Sequence, residues 1–342
     1  MRRSRITIDL GALRRNATLL RDAAAPAELW AVVKADAYGH GAVAAARTAL
    51  EGGASALGVA TVREGADLRE AFPSARILVL GPLDDGEEPV ARDARLEVAL
   101  AAPPAPEHLA VHLKVDTGMG RWGMTTAEAL AVPREQVVGV MSHLATADEP
   151  DETFAREQIA RFRDVAEAFP GVTAHLANSA ATLRFPESRF HAVRCGLALY
   201  GLSPFGDDPA AQGLEPVLSW RSYVAQVRTL DPGESTGYGR RFVAEEPTRV
   251  GIVPVGYADG FRRGLTGTEV LVTGRRRRVV GTISMDSFAV ELADDPAGAE
   301  VTLLGDGVLA EEHARVLRTI NYEITTGLNR DPTRAERTYV DG

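Results

Sequence analysis

From Ile6 to about Tyr200, short apolar runs alternate with longer amphipathic stretches. The runs are Leu29–Val33, Ala56–Val59, Ile77–Leu80, Val98–Ala101, Val111–Val115, Val137–Met141 and Val172–Leu176. Between several of them lie helix-like segments, among them Gly41–Glu51, Arg63–Phe72 and Thr153–Phe169. Strand followed by helix, repeated this often, predicts parallel strands joined by helical crossovers. Seven or eight such units fit a closed (β/α)8 TIM-type barrel better than an open sheet. One unit is irregular: Ala102–Ala110 carries Pro103, Pro104 and Pro106 and leaves room for about one helical turn at most.

The texture changes near residue 215. Leu218–Leu230, Thr248–Val255, Val270–Val272, Val279–Ser284, Phe288–Leu292 and Val301–Leu304 are apolar or alternating, with Gly, Pro and Asp turns between them. Only Ala310–Leu317 reads as helical. The expected organisation is a first strand over 1–8 that pairs with the C-terminal domain, a barrel over 9–213 and a mainly β domain over 214–342. Gly206–Gly213 is the expected linker.

Composition narrows the function. The 342 residues carry a net charge of −9, which argues against a general nucleic-acid binder. The local run Arg275–Arg278 reads as a turn and a solvated strand start. No stretch approaches the roughly 18 apolar residues of a membrane span. The basic start, followed by the alternating Ile6–Leu10, reads as a strand and not a signal peptide. A single cysteine, Cys195, forbids an intrachain disulfide and suits a reducing, cytoplasmic setting. Lysine is rare: Lys34 and Lys114 are the only two among 38 basic residues. A bias toward arginine accounts for this without any function. Even so, a lysine retained against that bias hints at a task arginine cannot perform. Schiff-base formation is one, because it needs a primary amine that can lose its proton.

Lys34 directly follows a buried-type strand, where desolvation lowers an amine's proton affinity. Tyr38 lies four residues on, and Gly39 and Gly41 permit close backbone approach to an anionic group near a helix start. Asn178-Ser179 opens another helix-like stretch, where Ser179 reads equally as an N-cap. Arg194-Cys195-Gly196-Leu197 sets an arginine in apolar surroundings beside glycine-adjacent backbone donors, although a structural ion pair would explain the arginine too. His40 reads as a helix-start residue and His175 as a core histidine. No His-x-His pair exists, which disfavours a metal-dependent barrel hydrolase.

Together these segments resemble the bacterial alanine racemase family, the pyridoxal 5'-phosphate (PLP) enzymes of fold type III, from end to end. The matching stretches are Val32–Gly41, Leu113–Gly123, Ser142–Glu149, Ala177–Ser179, Arg194–Leu202, Val253–Gly260 and Gly281–Asp286. The resemblance implies a (β/α)8 barrel followed by a β domain, and racemisation of L- and D-alanine by two bases within a homodimer that shares its active sites. Lys34 would carry the cofactor and serve as one base; Tyr257, from the partner subunit, would be the other. Arg194 would bond the pyridine nitrogen. Arg121 would contact the phenolic oxygen and the substrate carboxylate, and Lys114, a possible carbamylation site, would orient it. Tyr38, Asn178, Ser179 and the backbone of Gly196 and Leu197 would hold the phosphate. His143 would sit beside the tyrosine base, and Met285 would help bind the amino-acid substrate. D-alanine biosynthesis for peptidoglycan precursors is the implied setting. Arg330 stands where many members place a phosphate-contacting tyrosine, which leaves the entrance shape open. A racemase for serine or another small amino acid, and a PLP decarboxylase or aldolase on the same barrel, are the rival readings.

Overall fold

In a computed structural model, which describes residues 3–342, the chain divides into two compact units. One comprises Leu13–Phe205 with Ala210–Glu215; the other gathers the N-terminal segment through Ala12, Gly206–Pro209 and Pro216–Gly342.

The first unit is a closed barrel of eight parallel strands. With the N-terminal strand β1 at Arg5–Asp9, the barrel strands are β2 Glu28–Val32, β3 Ala56–Val59, β4 Arg76–Val79, β5 Glu97–Leu100, β6 Ala110–Lys114, β7 Val137–Met141, β8 Thr173–His175 and β9 Ala192–Cys195. β2 pairs with β9 to close the ring. The apolar runs of the sequence coincide with these strands to within a residue or two, because a strand walled in on both faces has no polar alternation to keep. Helices Ala42–Glu51, Val62–Ala71 and Thr153–Ala168 lie where the amphipathic stretches predict them. The proline-rich connection from β5 to β6 contains no helix at all. Trp30, Ala56, Leu78 and Ala192, from β2, β3, β4 and β9, form one buried cluster of the interior.

The second unit is built on a nine-stranded sheet. Its further strands are β10 Leu218–Tyr223, β11 Gln226–Leu230, β12 Ser235–Thr236, β13 Phe242–Val243, β14 Thr248–Val253, β15 Glu269–Val272, β16 Arg275–Val280, β17 Phe288–Glu291, β18 Glu300–Leu304 and β19 Glu336–Val340. The order across the sheet is β11-β14-β17-β16-β15-β18-β10-β1-β19, with β12 and β13 as a separate ribbon. β1 lies between β10, antiparallel, and β19, parallel. Within β16, Arg276 pairs with Glu312 and Arg277 with Asp295, so the middle two arginines of the run are paired on a strand. Besides the helix Ala310–Leu317 there is a second, Asn321–Thr326, absent from the sequence expectation. Its Ile324, Thr325 and Thr326 are β-branched and poor helix formers, so local propensity gives it no signal. No helix among the described residues is long and apolar enough to cross a membrane.

Candidate active site at the strand C-termini

Lys34 lies two residues beyond β2, at the C-terminal face where barrels assemble their sites. The backbone after it is unusual. Ala35, Asp36, Ala37 and Tyr38 all have φ near +55°, making one turn of left-handed helix without a glycine among the four. That conformation costs about 1–2 kcal/mol per residue, so specific bonds must hold it. Glu64 accepts from the Ala35 amide at 2.7 Å and the Ala60 amide at 2.8 Å, tying the turn to the loop after β3. The Asp36 carboxylate accepts from the Ala42 amide at 2.8 Å, at the start of the next helix. The Tyr38 ring packs on Tyr200 at 5.1 Å, and Tyr200 donates to the Val32 carbonyl at 2.8 Å. The result presents Lys34 half-buried and Tyr38 buried at one end of the barrel.

Around Lys34 the charges are mostly of one sign. Burial lowers its proton affinity, and Arg121 and Arg194 lower it further, against a contrary pull from Glu64. Lys114, the last residue of β6, donates to the Leu80 carbonyl at 3.1 Å; burial, then Arg194, Arg121 and Lys34, bring it down to about 8. His143, beyond β7, is brought down to about 3 by burial and the same cations, so it is neutral. Arg194 on β9 is buried, and desolvation lowers it to about 10, still charged at neutral pH. Its guanidinium donates to the carbonyls of Ser142 (2.7 Å), His175 (2.7 Å) and Leu176 (3.1 Å), to His175 Nδ1 (2.9 Å) and, at 3.5 Å, to His143 Nδ1. Arg121 is exposed and stacks on Trp122 at 5.5 Å.

A second group of residues forms a backbone cradle. The amides of Gly196 and Ala198 both donate to the Ser179 hydroxyl, at 3.1 and 3.3 Å. A Cβ at position 196 would lie 2.5 Å from the Tyr38 hydroxyl, so only glycine lets that phenol approach. The helix Ser179–Arg184 is capped by Asn178, whose side chain accepts from the Ala181 amide at 3.0 Å. The cap is therefore Asn178. Ser179, which the sequence leaves open as an N-cap, turns its hydroxyl to the cradle instead.

In the other unit, Tyr257 and Met285 stand on adjoining loops. The Tyr257 amide donates to the Ser284 carbonyl at 3.1 Å and the Ala258 amide to the Met285 carbonyl at 3.0 Å. Asp259 receives the Gly256 amide and the Arg334 guanidinium, both at 2.8 Å, and Arg334 also reaches Asp286 at 2.8 Å. Arg330 is exposed, and its neighbour Asn329 donates to the Ala258 carbonyl at 2.7 Å.

The structure thus brings Lys34, Tyr38, Lys114, Arg121, His143, Ser179, Arg194 and Gly196 to one end of the barrel, and sets Tyr257, Met285 and Arg330 in the second unit. Sequence reasoning missed several supporting residues. Glu64 was signalled only by the spacing Thr61-x-x-Glu64, a capping box that the structure contains. Tyr200, Glu97 and His112 gave no signal, and His175, expected as a plain core residue, bonds Arg194.

A primary amine of lowered proton affinity among fixed cations, beside a cradle of backbone donors, suits Schiff-base chemistry on an anionic carbonyl compound. Its position at the C-terminal ends of parallel strands makes this a barrel enzyme. Two family models match the chain: the alanine racemase N-terminal domain over residues 8–204 and its C-terminal domain over 217–339. The alanine racemase of Frankia casuarinae is 41% identical, with 99% of this chain and 96% of that protein covered. The crystal structure of alanine racemase from D-cycloserine-producing Streptomyces lavendulae is similar at a TM-score of 0.91 and 39% identity, covering 100% and 98% of the two chains. That of the Bartonella henselae enzyme, solved with covalently bound pyridoxal phosphate, gives 0.90 at 29% identity over 98% and 99%. The chain belongs to the alanine racemase family, whose members are PLP-dependent isomerases. The residues present fit that cofactor: an amine of lowered proton affinity for the aldehyde, a glycine-gated cradle for the phosphate, and a buried guanidinium with no carboxylate partner among the described residues.

Proposed function

We propose that this protein interconverts L- and D-alanine, with Lys34 as the acid–base group on one face of the bound amino acid and Tyr257 of a second copy on the other. Racemisation removes the α-proton from one face and returns one to the opposite face, which calls for two opposed groups. PLP, when bound, supplies the electron sink that makes that proton acidic. Lys34 would hold it covalently; Tyr38, Asn178, Ser179, the Gly196 and Leu197 backbone and Arg330 would hold its phosphate. Arg194 would donate to the ring nitrogen and, having no proton to give up, would keep the ring a moderate sink. Arg121 and Met285 would orient the substrate carboxylate, and a carbamate on Lys114 would place an anion against Arg121. His143, neutral and with its Nδ1 turned to Arg194, carries its proton on Nε2, fit to bond the phenol of Tyr257.

The observation that carries this reading is the amine of Lys34, lowered in proton affinity by burial and two arginines at the strand C-termini. The exposure of Tyr257 and Met285 on their own unit suits a site completed by a second subunit. The test is complementation. Lys34→Ala should lose the absorption of the bound cofactor, and both it and Tyr257→Ala should be inactive. Mixing the two should restore about a quarter of native activity, because one of the two sites in a mixed dimer is intact and half the dimers are mixed. No recovery on mixing, from proteins shown to exchange subunits, overturns the shared site.

A further inference from the structure

A line of hydrogen bonds crosses the barrel from its floor to Arg194. At the N-terminal end, Arg76 opens β4 and Glu97 opens β5, and Arg76 Nε lies 2.7 and 2.8 Å from the two Glu97 oxygens. Glu97 Oε2 lies 2.8 Å from Nε2 of His112 on β6. His112 Nδ1 lies 2.7 Å from Nε2 of His175 on β8, and His175 Nδ1 lies 2.9 Å from the Arg194 guanidinium. We propose that Glu97 is a positioning residue for the racemase site: through His112 and His175 it fixes the orientation of Arg194 and serves as the remote counter-charge of that buried cation.

The polarity of the line follows from its two ends. A guanidinium can only donate and an ionised carboxylate can only accept. His175 Nδ1 must therefore be bare, so its proton sits on Nε2 and is donated to His112 Nδ1. His112 in turn carries its proton on Nε2 and donates to Glu97. Both imidazoles are neutral and in the same tautomer, and no donor or acceptor along the line is left over. Burial holds both histidines below their ordinary range. Burial alone would raise Glu97, but the bonds from His112 and Arg76 outweigh it and keep it ionised. Among the described residues Arg194 has no carboxylate within ion-pairing reach, so Glu97 is the only anion joined to it by this line.

The surroundings are shaped for the line. The ring of Trp30 lies 4.6 Å from His175 and 5.7 Å from His112, and the Arg76 guanidinium stands over the same indole at 4.6 Å. His112 and His175 are fully buried, where polarised hydrogen bonds are strong and misplaced ones costly. On β7, Gly139 makes room for the His112 ring: a Cβ there would lie 2.0 Å from Nδ1. Glycine in a strand interior weakens the strand, and here the absent side chain is what lets the imidazole lie across the barrel.

The role assigned to Glu97 rests on the reading of Arg194 as the group that meets the cofactor ring, but the tautomers do not. The experiment is long-range proton–nitrogen correlation of the histidine side chains in the holoenzyme, with and without Glu97→Gln. Native protein should show two buried neutral imidazoles protonated on Nε2. A charged ring, or an Nδ1-protonated one, at His112 or His175 overturns the line whatever the enzyme's activity. The substituted amide keeps the shape of the carboxylate and loses its charge, so the variant should shift both imidazole spectra and the absorption maximum of the bound cofactor. It should lower kcat about ten- to a hundredfold, the range for removing an outer partner that orients a ligating group, with KM little changed. Gly139→Ala, which displaces His112 and leaves Glu97 in place, should reproduce these shifts. Native tautomers with an unmoved cofactor spectrum and kcat in both variants overturn the role of Glu97. Native protein that carries no cofactor band would instead overturn the proposed function and leave the tautomer result standing.

Discussion

Lys34, Lys114 and Arg194 sit in the barrel among side chains of their own unit, whereas Tyr257 and Met285 stand on loops of the second unit with 42% and 52% of their surfaces exposed. The barrel groups have their proton affinities set at home: burial and mutual repulsion of cations lower both lysines. The loop carrying Tyr257 is braced instead of buried. Asp259, Arg334 and Asp286 link the backbone beneath it, while the phenol itself stays accessible. One region tunes its titrating groups through desolvation, and the other holds an accessible side chain on a braced loop. Desolvation and neighbouring charge are what shift a titrating group.

Tyr257→Phe should have the greatest consequence. Removing one of two acid–base groups should cost about 10²- to 10⁴-fold in racemisation. The loss should fall on one antipode: α-proton exchange with solvent should survive for the antipode whose proton Lys34 takes and fail for the other. Equal exchange of both antipodes would show that Lys34 serves both faces. Next in size is Glu64→Ala, which strips the acceptor from the Ala35 and Ala60 amides beneath the left-handed turn. Leaving these half-buried amides unsatisfied should cost about 1 kcal/mol, the low end for a buried group, so denaturant midpoints should fall and cofactor affinity with them. An unchanged midpoint would mean that the turn holds itself.

The buried lysine gives a pH test. Lys114 is lowered from its usual 10.5 to about 8 in the folded chain. Below pH 8 both folded and unfolded forms carry the proton, and the cost of burying charge is fully present. Between about 8 and 10.5 the unfolded chain binds more protons, so the folded state gains stability as pH rises. Native protein should therefore gain on Lys114→Met through that window, read from urea midpoints; a constant difference would argue that Lys114 is not buried as a cation. The smallest effect belongs to the sheet surface. Arg276→Ala removes an exposed pair with Glu312 and should cost less than about 1 kcal/mol. A larger loss would mean that the arginine run does more than decorate a strand.

Much of this was legible in the chain before any coordinates. Barrel strands announce themselves as unbroken apolar runs, and the helix Thr153–Ala168 as periodic spacing. Both signals are local. Lys34 stood out because arginine had replaced lysine almost everywhere else. Other features were invisible for equally physical reasons. Ala35 to Tyr38 contain no glycine, so nothing in the residues forecasts a left-handed turn; Glu64, 29 positions from Ala35, holds it from outside. The helix Asn321–Thr326 rests on packing, since its β-branched residues are poor helix formers, whereas β19 at Glu336–Val340 carries the strand formers Thr338, Tyr339 and Val340 but takes its place only by pairing with β1.

Residue order alone sets which chemical groups exist, the alternation of strand and helix, and the motifs that mark the family. Tertiary structure alone decided which of those groups meet. His112 and His175 are 63 positions apart and bond only because the barrel sets β6 and β8 across from each other over Gly139. Proton affinity and tautomer depend on desolvation and on distances of a few ångströms. Closure of the barrel fixes both quantities, and the linear order of residues does not contain them.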